Sequence, residues 1–108
     1  MRTEDDKRLI HRRLVERIVG GPGQAPADER RRAFERGELS GSLRPLLDKV
    51  ATSSGQVTDA DFDRAIGAGL TEDQLFELVI CAAVGESTRQ YQAGLAALDQ
   101  ATGDAGAT

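Results

Sequence analysis

The sequence predicts an all-α protein of five or six short helices. Apolar residues recur at helical spacing along most of the 108 residues, and no stretch alternates apolar and polar residues as a half-buried strand would. Clusters of glycine, proline and serine divide the chain into short helical segments. The length suits one domain with a modest core. We expect a single helical domain over residues 1–100 and a flexible tail over 101–108, which is small and polar.

Three helices are expected in the first half of the chain. The first spans about residues 4–19 and ends at GGPG, because Pro22 cannot donate a backbone hydrogen bond. The second is a short, mostly exposed helix that begins at Pro26 and that Gly37 ends. The third follows Ser42, a good N-cap residue, and ends at TSSG. The apolar residues expected to face the core are Ile10, Leu14 and Ile18 in the first helix, widened by Leu9, Val15 and Val19, then Ala33 and Phe34 in the second helix, and Leu43, Leu46, Leu47 and Val50 in the third.

Two capping signals open the second half. Thr58 and Thr71 are N-cap residues, and Asp61 and Gln74 stand three residues later, where their side chains can reach back to the cap. Such caps stabilise a helix by about 1 kcal/mol each. We therefore expect a short helix over residues 59–67, a glycine turn, and a longer helix after the second cap.

The longer helix is apolar on nearly all sides at its start. From Leu75 to Gly85 only Glu77 is polar, and such a helix must be enclosed all round. A chain this short can hardly do so alone, so we expect a homo-oligomer held largely by residues 72–98. At Gly85 the helix either continues or restarts at Ser87, and we favour a break or kink there.

Cys81, the only cysteine, lies about ten residues into this helix among apolar neighbours. A reactive thiolate needs a helix N-terminus, a cation or a histidine beside it, and none is close in sequence. We interpret Cys81 as a small buried hydrophobic residue. A lone cysteine cannot form an internal disulfide, and one histidine with one cysteine is too little for a conventional zinc site. No cofactor is expected.

The charges are unevenly distributed. Residues 1–38 hold ten basic residues against eight acidic ones, whereas residues 39–108 hold four against ten. The arginines alternate with glutamates at helical spacing and no aromatic residues accompany them, so we interpret them as solvated helix faces and do not expect nucleic-acid binding. These arginines are Arg12, Arg13, Arg17, Arg30, Arg31, Arg32 and Arg36. No apolar run has the ~18 residues of a spanning helix and the N-terminus is charged, so we expect a cytoplasmic protein with no membrane partner.

The second half also resembles a known family. The segment DADFDRAIGAGLTEDQLFELVICAAVGESTRQYQAGLAAL is similar to the carboxymuconolactone decarboxylase and AhpD-like alkylhydroperoxidase family. The likeness covers about residues 43–98 and includes a short helix, a G-L-T-E turn and cap, an apolar helix and a closing amphipathic helix. It implies an AhpD-like helical bundle whose subunits assemble into oligomers.

The redox residues of that family are missing. Its peroxidase branch works through C-x-x-C-x-x-x-H, with the histidine about eight residues before the turn glycine. Counting back from Gly69 places Asp61 at the histidine position, Val57 at the second cysteine and Ser54 at the first. A dithiol couple needs two sulfurs, one to attack and one to resolve. We therefore expect no disulfide-dependent peroxidase activity.

Decarboxylase-like members do not depend on that cysteine pair, so proton-transfer chemistry stays open. The groups that could transfer protons are His11, Asp61, Glu77, Glu86 and Tyr91. Each also has an ordinary structural interpretation, and none is assigned as catalytic. Glu77 and Glu86 are the weak candidates placed first, because they flank the apolar helix.

Three functions follow from these observations. The first is a non-redox AhpD-like protein that binds a small molecule or a protein partner. The alternative is a carboxymuconolactone decarboxylase-type enzyme acting on a small lactone or keto acid. The third, a small DNA-binding regulator, would use the helix, turn and helix at residues 59–85, but LFELVICAAVG has almost no donors for bases or phosphates.

Overall fold

Five α-helices form the fold in the computed structural model, which describes residues 3–39, 41 and 43–107, leaving aside the side chains of residues 4 and 104–107. The helices are α1 (Glu4–Gly20), α2 (Ala27–Glu35), α3 (Arg44–Thr52), α4 (Asp59–Gly67) and α5 (Glu72–Ala107). A 3₁₀ turn at Ser54–Gln56 joins α3 to α4, and the described ranges contain no strand. The all-α prediction is confirmed.

Local capping explains where α4 and α5 begin. Asp61 accepts the backbone N–H of Thr58 at 2.9 Å. Thr71 and Gln74 form the predicted reciprocal pair, with hydrogen bonds of 3.0 and 3.1 Å. The turn between the two helices contains Gly69, whose φ of 102° lies in the region that favours glycine. The predicted helix over residues 59–67 is confirmed.

The core surrounds the first half of α5. Leu46, Leu75, Leu78 and Cys81 are the largest fully buried side chains. Around them pack other apolar residues: Ala33 of α2, Leu43 at the N-cap of α3, Leu47 of α3, Ala65 of α4 and Ala82 of α5. The apolar face predicted for the third helix therefore faces the core. The predicted N-cap of that helix, Ser42, lies outside the described residues.

The α1 face that packs inward is only part of the predicted apolar stripe. Ile10 and Leu14 are 46% and 48% exposed and Leu9 is 40% exposed, so these predictions are wrong. Ile18 packs against the core, and Val19, one of the residues that widen the stripe, is buried. His11 is half-buried instead. Apolar residues occupy two faces of this helix, and contact with α2 and α5 selects one of them.

Gly85 does not break α5, which is continuous from Glu72 to Ala107. The favoured break at Gly85 is wrong. A side chain at this position would overlap the carbonyl oxygen of Phe34 and would put its Cβ 2.8 Å from the Phe34 carbonyl carbon. The glycine serves the close approach of α2 to α5, a tertiary requirement that looks like a helix break in sequence.

The end of α2 also departs from prediction. Arg36, not Gly37, adopts the left-handed conformation, with φ 56°, and the Gly37 N–H donates to the Arg32 carbonyl at 2.7 Å.

Arg30 was expected on a solvated face but is only 5% exposed. Its guanidinium donates to the carbonyls of Ala25 and Ile18, both at 3.0 Å. The buried charge is thus satisfied by backbone groups.

The chain itself covers most of the apolar segment 75–85. Leu75, Leu78 and Cys81 are buried, whereas Phe76 is 64% exposed. The premise that the chain alone could hardly enclose this helix is therefore mostly wrong, and self-association stays a prediction.

Helix α5 also extends over residues 101–107, and the predicted flexibility of that segment is untested. Among the described helices, none is long and apolar enough to cross a membrane.

Candidate functional site

Glu77, one of the two weak catalytic candidates of the sequence analysis, has a structural role. Its carboxylate accepts the backbone N–H of Gln24 at 2.8 Å and that of Ala25 at 2.6 Å. These amides belong to the loop between α1 and α2, about fifty residues away in the chain. Two charge-assisted hydrogen bonds hold the loop against α5. Glu77 also lines a groove with Arg17 and Arg30, but both of its carboxylate oxygens are already engaged by the loop amides.

Glu86, the other glutamate, pairs with Arg89 one turn later at 3.0 Å. The same guanidinium donates to the Phe34 carbonyl at 2.7 Å. That carbonyl lies in the last turn of α2, where backbone oxygens lack helical partners. Glu86 therefore helps to hold the arginine that caps α2.

Asp61 is the centre of an ion-pair network between α3 and α4. Its side chain is 2% exposed and lies 2.9 Å from Lys49 Nζ and 3.1 Å from Arg64 Nη2. The Thr58 backbone hydrogen bond, and then the Lys49 hydrogen bond, lower the pKa of Asp61 from 3.8 to about 2. A carboxylate this acidic is a poor proton carrier near neutral pH. Asp61 is a structural anion.

Cys81 is fully buried, as the sequence predicts. Burial raises the pKa of the thiol, and the nearby Glu77 charge also raises it while Arg30 opposes both. Cys81 Sγ lies 3.7 Å from the Ile18 carbonyl oxygen, to which the thiol can donate. A protonated thiol in this position is not a nucleophile.

The remaining two candidates, His11 and Tyr91, come together in one groove. Their ring centroids are 5.6 Å apart, although one lies on α1 and the other on α5. The groove has a volume of about 570 Å³. We call it the His11 groove. Its lining residues are Arg8, His11, Arg12, Val15, Phe34, Thr88, Tyr91, Gln92, Leu95, Ala96 and Asp99.

The hydrogen bonds of Thr88 determine which His11 nitrogen carries a proton. The Thr88 hydroxyl donates to the Val84 carbonyl at 2.7 Å, and its oxygen lies 2.9 Å from His11 Nε2. A hydroxyl has one proton to donate, so Nε2–H must be the donor to Thr88. In the neutral ring this leaves Nδ1 as the acceptor. The imidazole is held by a side chain that is itself only 7% exposed.

The groove combines cationic, aromatic and apolar surfaces. Arg8 and Arg12 are exposed on α1. Arg8 lies three residues before His11, and Arg12 directly follows it. Val15, Phe34 and Leu95 provide an apolar wall. Such a mixture is typical of sites that hold a small molecule with one anionic end.

Sequence reasoning proposed His11 and Tyr91 singly and did not anticipate Thr88 or the two arginines. One signal in the sequence pointed to Thr88. It is the polar residue in a helical stripe whose other members, Val84, Tyr91 and Leu95, are apolar or aromatic. A buried hydroxyl in such a stripe requires a hydrogen-bond partner. The identity of that partner depends on how α1 crosses α5.

The three positions that the sequence analysis compared with a C-x-x-C-x-x-x-H motif hold neither cysteine nor histidine. Ser54 is exposed in the 3₁₀ turn, Val57 is half-buried behind it, and Asp61 is the ion-paired carboxylate described above. Within the described ranges, no three His, Cys, Asp or Glu side chains are grouped to hold a metal ion. Comparison of the chain with protein-family models, curated proteins and solved structures finds no match.

Proposed function

We propose that this chain is a non-redox, AhpD-like helical protein that binds a small organic carboxylate in the His11 groove. The observation that carries the proposal is the groove itself, in which an imidazole, a phenol ring and two arginines meet from opposite ends of the sequence. Arg8 and Arg12 supply the positive charge that a carboxylate requires. The apolar wall suits a short hydrocarbon or aromatic body.

The hydrogen bond from His11 to Thr88 supports a binding role. A half-buried imidazole in a fixed orientation presents a polar group at a defined point of the groove. Glu77, Glu86 and Asp61 are paired elsewhere in the fold and do not line the groove. Among the described side chains that line it, Arg8 and Arg12 outnumber the one acidic residue, Asp99, so the charge balance is positive.

The single histidine makes the proposal directly testable. NMR titration of the isotope-labelled protein with benzoate and with 2-oxoglutarate should shift the ring resonances of His11 saturably. Arg12→Gln should raise Kd about tenfold, which corresponds to about 1.4 kcal/mol. Arg31→Gln, on an exposed arginine of α2 outside the groove, is the matched control and should bind as the parent does.

Two results would contradict the proposal. One is the absence of any saturable His11 shift with either carboxylate. The other is an equal loss of affinity in Arg12→Gln and Arg31→Gln, which would indicate nonspecific charge attraction.

A second candidate, the decarboxylase-type enzyme, is favoured by the proton arrangement of His11. In a decarboxylation the bond between the carboxyl carbon and its neighbour breaks, CO₂ leaves, and the electron pair on the remaining carbon takes up a proton. The ring nitrogen Nδ1, the acceptor of the neutral ring, is the atom at which His11 would accept or return that proton. The substrate would be a small lactone or keto acid.

Release of CO₂ from carboxymuconolactone or acetoacetate tests this second candidate. Turnover should disappear in His11→Gln and persist in Arg31→Gln.

The DNA-binding alternative finds no support, because Leu75, Leu78, Cys81 and Ala82 of its recognition helix are buried. We retain the proposal of a cytoplasmic, self-associating protein.

A further inference from the structure

An uncovered apolar surface with an acidic rim lies between α4 and the start of α5. Phe76 is 64% exposed and Ile66 is 38% exposed, with Phe62 half-buried beside them. All four charged residues that line this groove are acidic: Asp59, Asp63, Glu72 and Asp73. We call it the acidic groove. Large aromatic surface left in water is unfavourable and commonly marks a contact surface.

The outward side of α1 has the opposite character. Ile10 and Leu14 are 46% and 48% exposed. Arg13 and Arg17 are exposed beside them, so the four residues follow the spacing i, i+3, i+4 and i+7 of a single helix face. We call it the α1 outer face. It lies apart from His11 and Val15, which pack toward α5.

We propose that the α1 outer face of one copy docks in the acidic groove of a second copy. An amphipathic helix lying in an apolar groove is a common mode of recognition, in which the apolar residues give affinity and the charges give orientation. Here Ile10 and Leu14 would cover Phe76 and Ile66. Arg13 and Arg17 would meet the carboxylates of the rim.

The second copy is the occupant because the chain carries both complementary surfaces. Within one copy the two surfaces cannot meet, since α1 is held by the opposite face against α2 and α5. The pairing joins two different surfaces and is heterologous, so it produces a ring or an open chain of subunits. The His11 groove takes no part in it, and either proposal can fail without the other.

A charge exchange tests the pairing. In one variant Arg13 and Arg17 are both replaced by Glu, and in the other Asp63 and Asp73 are both replaced by Lys. Sedimentation and light scattering should show that the parent self-associates, with a dissociation constant that rises at high salt. Each variant alone should associate at least tenfold more weakly, because like charges then face each other. An equimolar mixture should regain the parent's association, because every contact in alternating copies is again complementary.

The control is a double replacement of the same charge elsewhere, Glu35→Lys with Glu38→Lys, on exposed residues outside both surfaces. It should associate as the parent does. Circular dichroism of each variant must show the parent's helix content, and Asp63→Lys alone serves if Asp73→Lys disturbs the start of α5. A parent that stays monomeric at every concentration overturns the proposal. So does a mixture that fails to recover, or a control that weakens association as much as the two variants.

Discussion

Gly85 of α5 lies directly against the carbonyl group of Phe34 at the end of α2. The contact is between backbones, so no rotamer change can make room for a larger residue. The Arg89 guanidinium donates to the same carbonyl at 2.7 Å. This single point joins the two helices that flank the core and the His11 groove.

Gly85→Ala should therefore destabilise the protein by about 1–3 kcal/mol, the usual cost of overpacking. Gly94→Ala is the matched control on the same helix, where an added Cβ meets nothing within 4 Å. Because alanine favours helix over glycine, the control should stabilise by up to about 1 kcal/mol. Urea unfolding measures both. Destabilisation of similar size in the two variants would show that α2 does not approach α5 closely.

The loop between α1 and α2 should depend on Glu77. Glu77→Ala leaves the N–H groups of Gln24 and Ala25 without their acceptor, and Ala25 is buried. A buried donor left unsatisfied costs about 1–3 kcal/mol. Amide hydrogen exchange at these two residues should accelerate, whereas Glu16→Ala on the exposed side of α1 should leave it unchanged. Protection that survives in Glu77→Ala would contradict the role assigned to this carboxylate.

The Cys81 thiol should react slowly with a thiol reagent in the native protein and quickly after denaturation. The side chain is fully buried, and burial raises the pKa of the thiol, so neither access nor ionisation favours attack. Labelling followed by mass spectrometry gives both rates. Equal rates in the two states would refute the burial of this residue.

Asp61 should contribute to a loss of stability in acid. Its pKa is lowered from 3.8 to about 2 in the folded protein, so its charged form stabilises the fold fully above pH 4. That contribution is lost as the pH falls from about 4 through 2, where the folded-state carboxylate takes up its proton. The difference in unfolding free energy between the parent and Asp61→Asn should shrink over this window. Glu16→Gln, on an exposed carboxylate of α1 outside the network, is the control, and a difference that does not change with pH would contradict the ion-pair assignment.

No turnover of hydroperoxides with dithiol reductants is expected. A dithiol couple needs two sulfurs, and this chain has one cysteine, Cys81, whose thiol is buried. Ser54 and Val57, the positions compared with a cysteine pair in the sequence analysis, carry no sulfur. A coupled assay that follows consumption of the reductant measures this. Turnover that disappears in Cys81→Ser would show that the thiol is reactive after all.

Local signals in the sequence are enough to place the starts of α4 and α5. Thr58 and Thr71 each have a capping partner three residues later, and a glycine in the left-handed region separates α4 from α5. These signals act over three or four residues, so they can be recognised without knowing the rest of the fold. Thr3 and Asp6 form the same kind of box at the start of α1, with hydrogen bonds of 3.3 and 3.2 Å, and the pattern was equally available there.

The roles of the remaining side chains discussed above depend on contacts between helices that are distant in the sequence. His11 and Thr88 are 77 residues apart, and Glu77 is more than fifty residues from the amides that it accepts. Gly85 resembles a helix break unless the position of α2 is known. Spacing along a helix tells which residues share a face, but the direction that each face takes depends on which other helices bury it. The pairing of His11 with Tyr91 in one groove follows from the packing of α1 against α5, which no local pattern encodes.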